Sequence, residues 1–206
     1  MQVQTLEMTD YEKFFPESLT LETPRVILRL MTKNDFEDLR KLTGSEILWK
    51  YFTKNLADDN ELKQWIADAA EERKQQKRMA FVIIDKDEKQ ICGSTSLGNI
   101  SFFDKRIEIG WSWLGETFLG TGVNKSAKFA LMSYAFDVLK FERVEIKTDN
   151  QNDRAKAALR KIGALPEGVL RSHMQMWNDR RRDSIYFSVL KKEWVDVKQE
   201  FFPEMI

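Results

Sequence analysis

Cysteine and histidine occur once each in the 206-residue chain, as Cys92 and His173. A lone cysteine excludes an intrachain disulfide and a multi-cysteine zinc site, and it fits a reducing compartment. Net charge is missing too. Lys plus Arg and Asp plus Glu number 33 each, so no global field draws the chain toward nucleic acid or an anionic membrane. No apolar run approaches the ~18 residues of a membrane span. The opening M-Q-V-Q-T-L-E-M-T-D has neither the basic residues nor the apolar core of a signal peptide. These absences predict a soluble, cytoplasmic protein without a resident metal. Repeats, linkers and low-complexity segments are absent as well. One domain over residues 1–206 is therefore expected, with 1–20 as an N-terminal extension and 195–206 as a C-terminal tail.

What is present centres on Ile107 to Lys140. Ile107 to Leu114 is short, apolar and aromatic, and predicts a strand. Gly115, Gly120 and Gly122 follow. Beyond them Val123, Ala127, Ala130, Leu131, Tyr134, Ala135 and Val138 fall at the offsets of one helix face. The first turn of a helix carries backbone N–H groups without intrahelical partners, and glycines let them approach a ligand closely. An oligophosphate suits such an end, with Lys125 in the first turn; a tight connection with no ligand fits the same residues. No Gly-Lys-Ser/Thr marks the helix entry, and Lys125 stands where a dinucleotide fingerprint has its third glycine, so neither of those motifs applies.

Around this stretch the chain reads as alternating elements. Arg25 to Leu30 predicts a first strand, Thr32-x-x-Asp35 caps a helix carrying Phe36, Leu39 and Leu42, and Asp58 to Glu61 opens another with Leu62, Trp65, Ile66 and Ala69 on one face. Met79 to Ile84, Ile91 to Ile100 and the central strand then form an antiparallel meander. Val144 to Thr148 is a parallel neighbour of the central strand through a right-handed crossover. A short helix ends at Gly163, and strands around 167–177 and 184–190 join through a turn bearing Arg180, Arg181 and Arg182, read as solvated turn charges.

This order, from Arg25 to about Trp194, resembles the GNAT N-acetyltransferases. Thr117 to Gly122 matches their Gln/Arg-x-x-Gly-x-Gly/Ala loop without the leading cation. Glu108-Ile109-Gly110-Trp111, Arg143 to Asp149, Asn152-x-Arg154, Ile162-Gly163-Ala164, Glu167 to Arg171 and Glu193-Trp194 resemble the RimJ/RimL-like branch that includes ribosomal-protein N-terminal acetyltransferases. The resemblance implies an α+β fold with a mixed, largely antiparallel sheet of about seven strands and helices on both faces. Its parallel pair splays at a bulge to receive the pantetheine arm of acetyl-CoA. It places Trp111, Trp113 and Leu114 along the arm, and Leu119, Gly120, Thr121, Gly122, Val123 and Asn124 at the pyrophosphate. Asn152, eleven residues before Gly163, is where relatives contact the pantetheine; a helix N-cap is its other reading.

Amine attack on a thioester needs a neutral amine, a donor for the oxyanion and a proton for the thiolate. Glu108, a carboxylate in an apolar strand, is the candidate base if it faces the cleft; a solvent-facing or Arg106-paired carboxylate is the alternative, and Glu145 and Asp149 are weaker candidates. Leu159 and Ala155 occupy the positions where relatives carry a tyrosine or serine proton donor. Water, Tyr134 or Ser126 is left for that part. His173 reads as an acceptor contact or a packed strand histidine, and Cys92 as a small core residue. The expected function is direct acetyl transfer from acetyl-CoA to a protein N-terminus or small primary amine, by a monomer or homodimer. The rival is a non-catalytic acyl-CoA-binding or sensing module. The acceptor cleft is expected between Trp49 to Phe52 and the strands around His173.

Overall fold

A computed structural model describes residues 11–206. Half of the expected N-terminal extension, residues 1–10, lies outside the described residues. Within the rest, Tyr11 and Phe15 are buried and Thr20–Glu22 forms a first strand, β1. The other strands are β2 Val26–Leu30, β3 Arg78–Asp85, β4 Gln90–Ser101, β5 Arg106–Leu114, β6 Arg143–Asp149, β7 Leu165–Gln175 and β8 Arg181–Leu190. They make one 8-stranded sheet in the order β1-β2-β3-β4-β5-β6-β8-β7. The expected count of about seven omitted β1, whose three residues are too few to show alternation. Only β5 and β6 pair in parallel; the remaining pairs are antiparallel.

Helices α1 Phe36–Thr43 and α2 Asp59–Lys74 cover one face. The Asp58 carboxylate accepts from the N–H groups of Asn60 and Glu61 and caps α2. Leu39, Leu62, Trp65, Ile66 and Ala69 bury a cluster with Trp49, Ala80, Val82 and Trp113. No residue of β6, β7 or β8 joins that cluster. The opposite face is covered by α3 Val123–Ser133, α4 Asp153–Arg160 and α5 Trp194–Phe201. There Val144, Ile146, Phe187 and Val189 pack with Leu131, Leu159 and Trp194.

Three local departures from the periodic reading have physical causes. Helix α3 passes into a π-helical turn over Tyr134–Val138, and the extra residue per turn carries Val138, expected on the buried face, to 48% exposure. The expected tail forms α5 and a following turn, with Phe202 fully buried against Phe129, ring centroids 5.2 Å apart. The arginine turn is shorter than expected, since Arg181 and Arg182 belong to β8. Two of the three are not solvated turn charges: Arg180 binds the Asp149 carboxylate and Arg182 is buried, whereas Arg181 stays exposed beside Ser172.

Candidate active site

The parallel ladder between β5 and β6 holds only three residue pairs, Arg106 with Arg143, Ile107 with Val144 and Glu108 with Glu145. β5 then continues to Leu114 along β4, and β6 to Asp149 along β8. A wedge opens between them because β5 carries a bulge. Ser96 pairs with Gly110 and Ser94 with Trp113, which leaves Trp111 and Ser112 both facing the single residue Thr95. Trp111 adopts a φ of 52°, a left-handed conformation that costs a side-chain-bearing residue on the order of 1–3 kcal/mol. Gly98 makes the bulge possible, since a Cβ there would stand 2.7 Å from the Trp111 ring. The inserted residue also reverses the alternation: Ile107 and Ile109 face the α3 layer, whereas Trp111 and Trp113 face the α1–α2 layer.

At the end of β5 the chain turns through Gly115 and a short 3-10 segment, Glu116–Phe118, into the glycine loop. Gly120 and Gly122 hold φ values of 79° and 89°, the region where glycine alone is unstrained. A Cβ on either would meet nothing within 4 Å, so the space above both is open. Gly122 is the N-cap of α3, no side chain caps that end, and no acidic residue occupies its first turn. The N–H groups of Val123, Asn124 and Lys125 therefore keep their donors and the positive end of the helix dipole. Lys125 itself is turned away, bound to Glu204 at 2.7 Å. Among the remaining loop residues, Thr121 ties its hydroxyl to the Phe118 carbonyl at 2.8 Å and Leu119 is 36% exposed.

The other residues singled out above fall on both sides of the wedge. Trp113 and Leu114 bury their side chains in the two cores, so only their backbone borders the opening. Asn152 caps α4, accepting from the Ala155 N–H at 3.0 Å, and no described residue bonds its Nδ2. Glu108 is 3% exposed and points to the α1–α2 side, where Lys147 Nζ and Asn99 Nδ2 each donate to Oε2 at 2.7 Å. It is neither solvent-facing nor paired with Arg106, which sits near Asp104 and Glu145. The apolar surroundings expected from Ile107-Glu108-Ile109 do not hold for the carboxylate itself, because Lys147 arrives from β6. Glu145 binds Arg143, and Asp149 binds Arg180 and the Gln151 N–H.

Beyond β5, Lys147 of β6 lies opposite Tyr186 of β8, and Ser184 and Arg182 follow on the same face of β8 by the period of two. His173 joins them with Nδ1 3.0 Å from Ser184 Oγ; burial, then the Lys147 and Arg182 charges, lower its pKa. Arg182 is 7% exposed and makes no hydrogen bond or ion pair among the described residues, its Nε being buried without a partner. The far wall is fixed by the Trp177 indole N–H, which donates to the Trp49 carbonyl at 2.9 Å and joins the β7–β8 turn to the segment after α1.

One group that the sequence reading missed lies beneath the wedge. Lys128 on α3 is 4% exposed, and its Nζ donates to Ser112 Oγ at 2.6 Å in the bulge. Its place between Asn124 and Leu131, one turn from each on the buried helix face, was the available signal. Tyr134, by contrast, cannot serve as a proton donor. Its hydroxyl is committed to the Phe14 carbonyl, and burial pushes its pKa up to about 12.

Comparison with known proteins agrees with this geometry. The family described as "Acetyltransferase (GNAT) domain" matches residues 25–165. YdaF of Bacillus subtilis, provisionally named a ribosomal N-acetyltransferase, is 36% identical over 104 residues, which span 50% of this chain and 56% of that protein. The uncharacterized N-acetyltransferase p20 of Bacillus licheniformis is 28% identical over 179 residues, 85% of this chain and 98% of that one. The crystal structure of a GCN5-related N-acetyltransferase from Brucella melitensis superimposes with a TM-score of 0.82 at 28% identity, covering 89% of this chain and 84% of that one. With a matched domain that spans most of the chain, a wedge at the parallel pair and an open glycine loop, this protein belongs to the GNAT acetyltransferase family.

Proposed function

We propose that the protein transfers an acetyl group from acetyl-CoA directly to a primary amine, either a protein N-terminus or a small-molecule amine. The observation that carries this reading is the three-residue parallel ladder, which stops at Glu108 and Glu145 one bulge away from an uncapped helix N-terminus. The free amides after Gly122 suit the diphosphate, and the bared backbone of β5 suits the pantetheine arm. Trp111, Trp113 and Leu114 would border that arm, Leu119 to Asn124 would surround the diphosphate, and the Asn152 amide would reach the arm from the other side.

Glu108 is the base in this reading. It stands on the α1–α2 side of the wedge, and the acceptor would enter between the Trp49 segment and the strands around His173, which the Trp177–Trp49 hydrogen bond ties together. One carboxylate oxygen is held by Lys147 and Asn99, while no described residue bonds Oε1. That oxygen is the one available to an amine proton, directly or through a water. The attacking nitrogen bonds the thioester carbon, a backbone N–H of the bulge receives the oxyanion, and the carbon–sulfur bond breaks. Arg182 offers donors to carbonyl or carboxylate oxygens of the acceptor farther along β8. The match to YdaF supports a ribosomal protein N-terminus as the first acceptor to test.

The test pairs binding with turnover. Coenzyme A should raise the melting temperature where ATP does not, and thiol release from acetyl-CoA should rise with one member of a panel of N-terminal peptides and small amines. Stabilisation by ATP with none by coenzyme A would end the proposal.

A further inference from the structure

The GNAT reading leaves the departing sulfur without its usual proton source, since Leu159 and Ala155 carry no acidic proton, Tyr134 is committed to Phe14 and Ser126 is buried on α3 at 3% exposure, which leaves water or another group of the chain. Strand β5 supplies a different group. Its residues are buried at Ile107 to Ile109 and at Trp113 and Leu114, but Gly110, Trp111 and Ser112 between them are partly open. Ser112 Oγ lies 2.6 Å from Lys128 Nζ, 2.7 Å from Thr95 Oγ1 and 3.2 Å from the Gly110 carbonyl. A hydroxyl accepts two hydrogen bonds and donates one. When Lys128 and Thr95 fill both lone pairs, the Ser112 proton has only the long contact to Gly110 or an atom in the wedge.

Among the described residues no carboxylate pairs with Lys128. The charged groups of the elements packed on α3 are engaged elsewhere: Glu22 of β1 with Lys86, Arg29 of β2 with Asp35, Arg106 of β5 with Asp104, and Glu108 of β5 with Lys147 on the other face. On the helix itself Lys125 pairs with Glu204. β4 carries no charged residue. A buried ammonium with one hydroxyl partner and no counterion among the described residues is costly to keep, and Ser112 links it to the partly open stretch of β5.

We propose that Ser112 donates the proton taken up by the coenzyme A sulfur, and that Lys128 acts as the positioning residue behind it, aligning the hydroxyl and restoring its proton. The proposal rests on the acetyl-CoA reading above. As the new carbon–nitrogen bond forms and the carbon–sulfur bond breaks, sulfur keeps the electron pair and takes the Ser112 proton. The Lys128 ammonium passes a proton to the Ser112 oxygen and is recharged from solvent through the wedge, while the amine's proton leaves by way of Glu108. Burial lowers the Lys128 pKa to about 7, so the group can give and regain a proton near neutrality.

The experiment uses the full chain with coenzyme A and follows ionisation of the bound thiol by ultraviolet absorbance against pH. In the wild type the bound thiol should ionise about one pH unit or more below free coenzyme A; in Ser112→Ala and Lys128→Met the difference should vanish, with coenzyme A still bound. Both variants should lose about tenfold or more in kcat with KM for acetyl-CoA within about threefold, and Lys128→Arg should recover part of the rate. The wild-type kcat should fall as pH rises through about 7, and this limb should be absent in Lys128→Met. Ser112→Ala removes a partly exposed hydroxyl and so tests the relay without emptying the core. Equal thiol ionisation in wild type and variants, with coenzyme A bound, would overturn the relay alone; no binding of coenzyme A by the wild type would overturn the acetyl-CoA reading and the relay with it.

Discussion

Lys147 Nζ and Glu108 Oε2 lie 2.7 Å apart, and this ion pair crosses from β6 to β5 just where their backbone ladder ends. The first prediction follows from what each partner does there. Glu108→Gln keeps the shape and the bond to one neighbour but cannot take an amine proton. Turnover should fall by about 10²-fold or more, while the thermal shift given by coenzyme A should be unchanged. A Gln variant within a few-fold of wild type removes Glu108 from the role. Lys147→Met instead leaves a 3% exposed carboxylate with Asn99 alone. Losing one partner of a buried pair costs about 3–5 kcal/mol, which chemical denaturation should read at neutral pH.

Gly122→Ala separates backbone strain from ligand binding. A Cβ at that position meets no protein atom within 4 Å, so the only cost to the free protein is the φ of 89°. An L residue pays about 1–2 kcal/mol there, a drop of a few degrees in melting temperature for a chain of this size. The methyl group would, however, stand in the open space over the α3 amides. Coenzyme A affinity should therefore fall by about tenfold or more in calorimetry, well beyond the stability change. Equal affinity in the two proteins would mean that the loop is a connection only.

The glycine loop was legible because the need for positive φ selects glycine, and Gly120 and Gly122 stand one residue apart before an apolar helix face. The meander and the crossover were legible from alternation and spacing. The bulge was expected only through the GNAT resemblance, since Ile107, Ile109, Trp111 and Trp113 keep an unbroken period of two and nothing local announces that Trp111 turns over. Its cause is nonlocal: Gly98 on β4 makes room for the ring. The Glu108–Lys147 pair escaped for a similar reason, as its partners are 39 residues apart and Lys147 stands two positions beyond Glu145, the last paired residue of β6. Val138 was assigned to the wrong face because a π-helical turn changes phase without a glycine or proline to mark it. Lys128 was passed over since a lysine on an apolar face reads as a solvated neighbour until the sheet above it is placed.

The C-terminal segment should prove part of the core. Phe202 is fully buried, packs on Phe129 and lies 6.2 Å from the Trp194 ring. Trp194 in turn donates its indole N–H to Asp137 at 3.1 Å. Phe202→Ala removes a large side chain from a packed site, which costs about 3–5 kcal/mol. Because this layer also buries the helix that presents the glycine loop, the variant should lose some coenzyme A affinity at temperatures where it is still folded. A change under about 1 kcal/mol in urea unfolding would show that residues after Trp194 contribute little.

Lys128 carries a prediction opposite in sign to that for most buried residues. Burial lowers its pKa from 10.5 to about 7, so between those values the unfolded chain holds a proton that the folded chain does not. Stability then rises with pH across that window, by about 1.4 kcal/mol per pH unit from this group, and is lowest once pH falls below about 7, where the folded protein must bury the charge. Lys128→Met fills the same volume without that cost. The variant should be more stable than wild type at pH 6 by about 2–4 kcal/mol, with the advantage shrinking by pH 9. Urea midpoints of both proteins at pH 6, 7.5 and 9 read this directly. A Met variant less stable than wild type at pH 6 would show that the ammonium has a counterion in the folded protein, and that its environment is not the apolar one that burial under the β5 bulge implies.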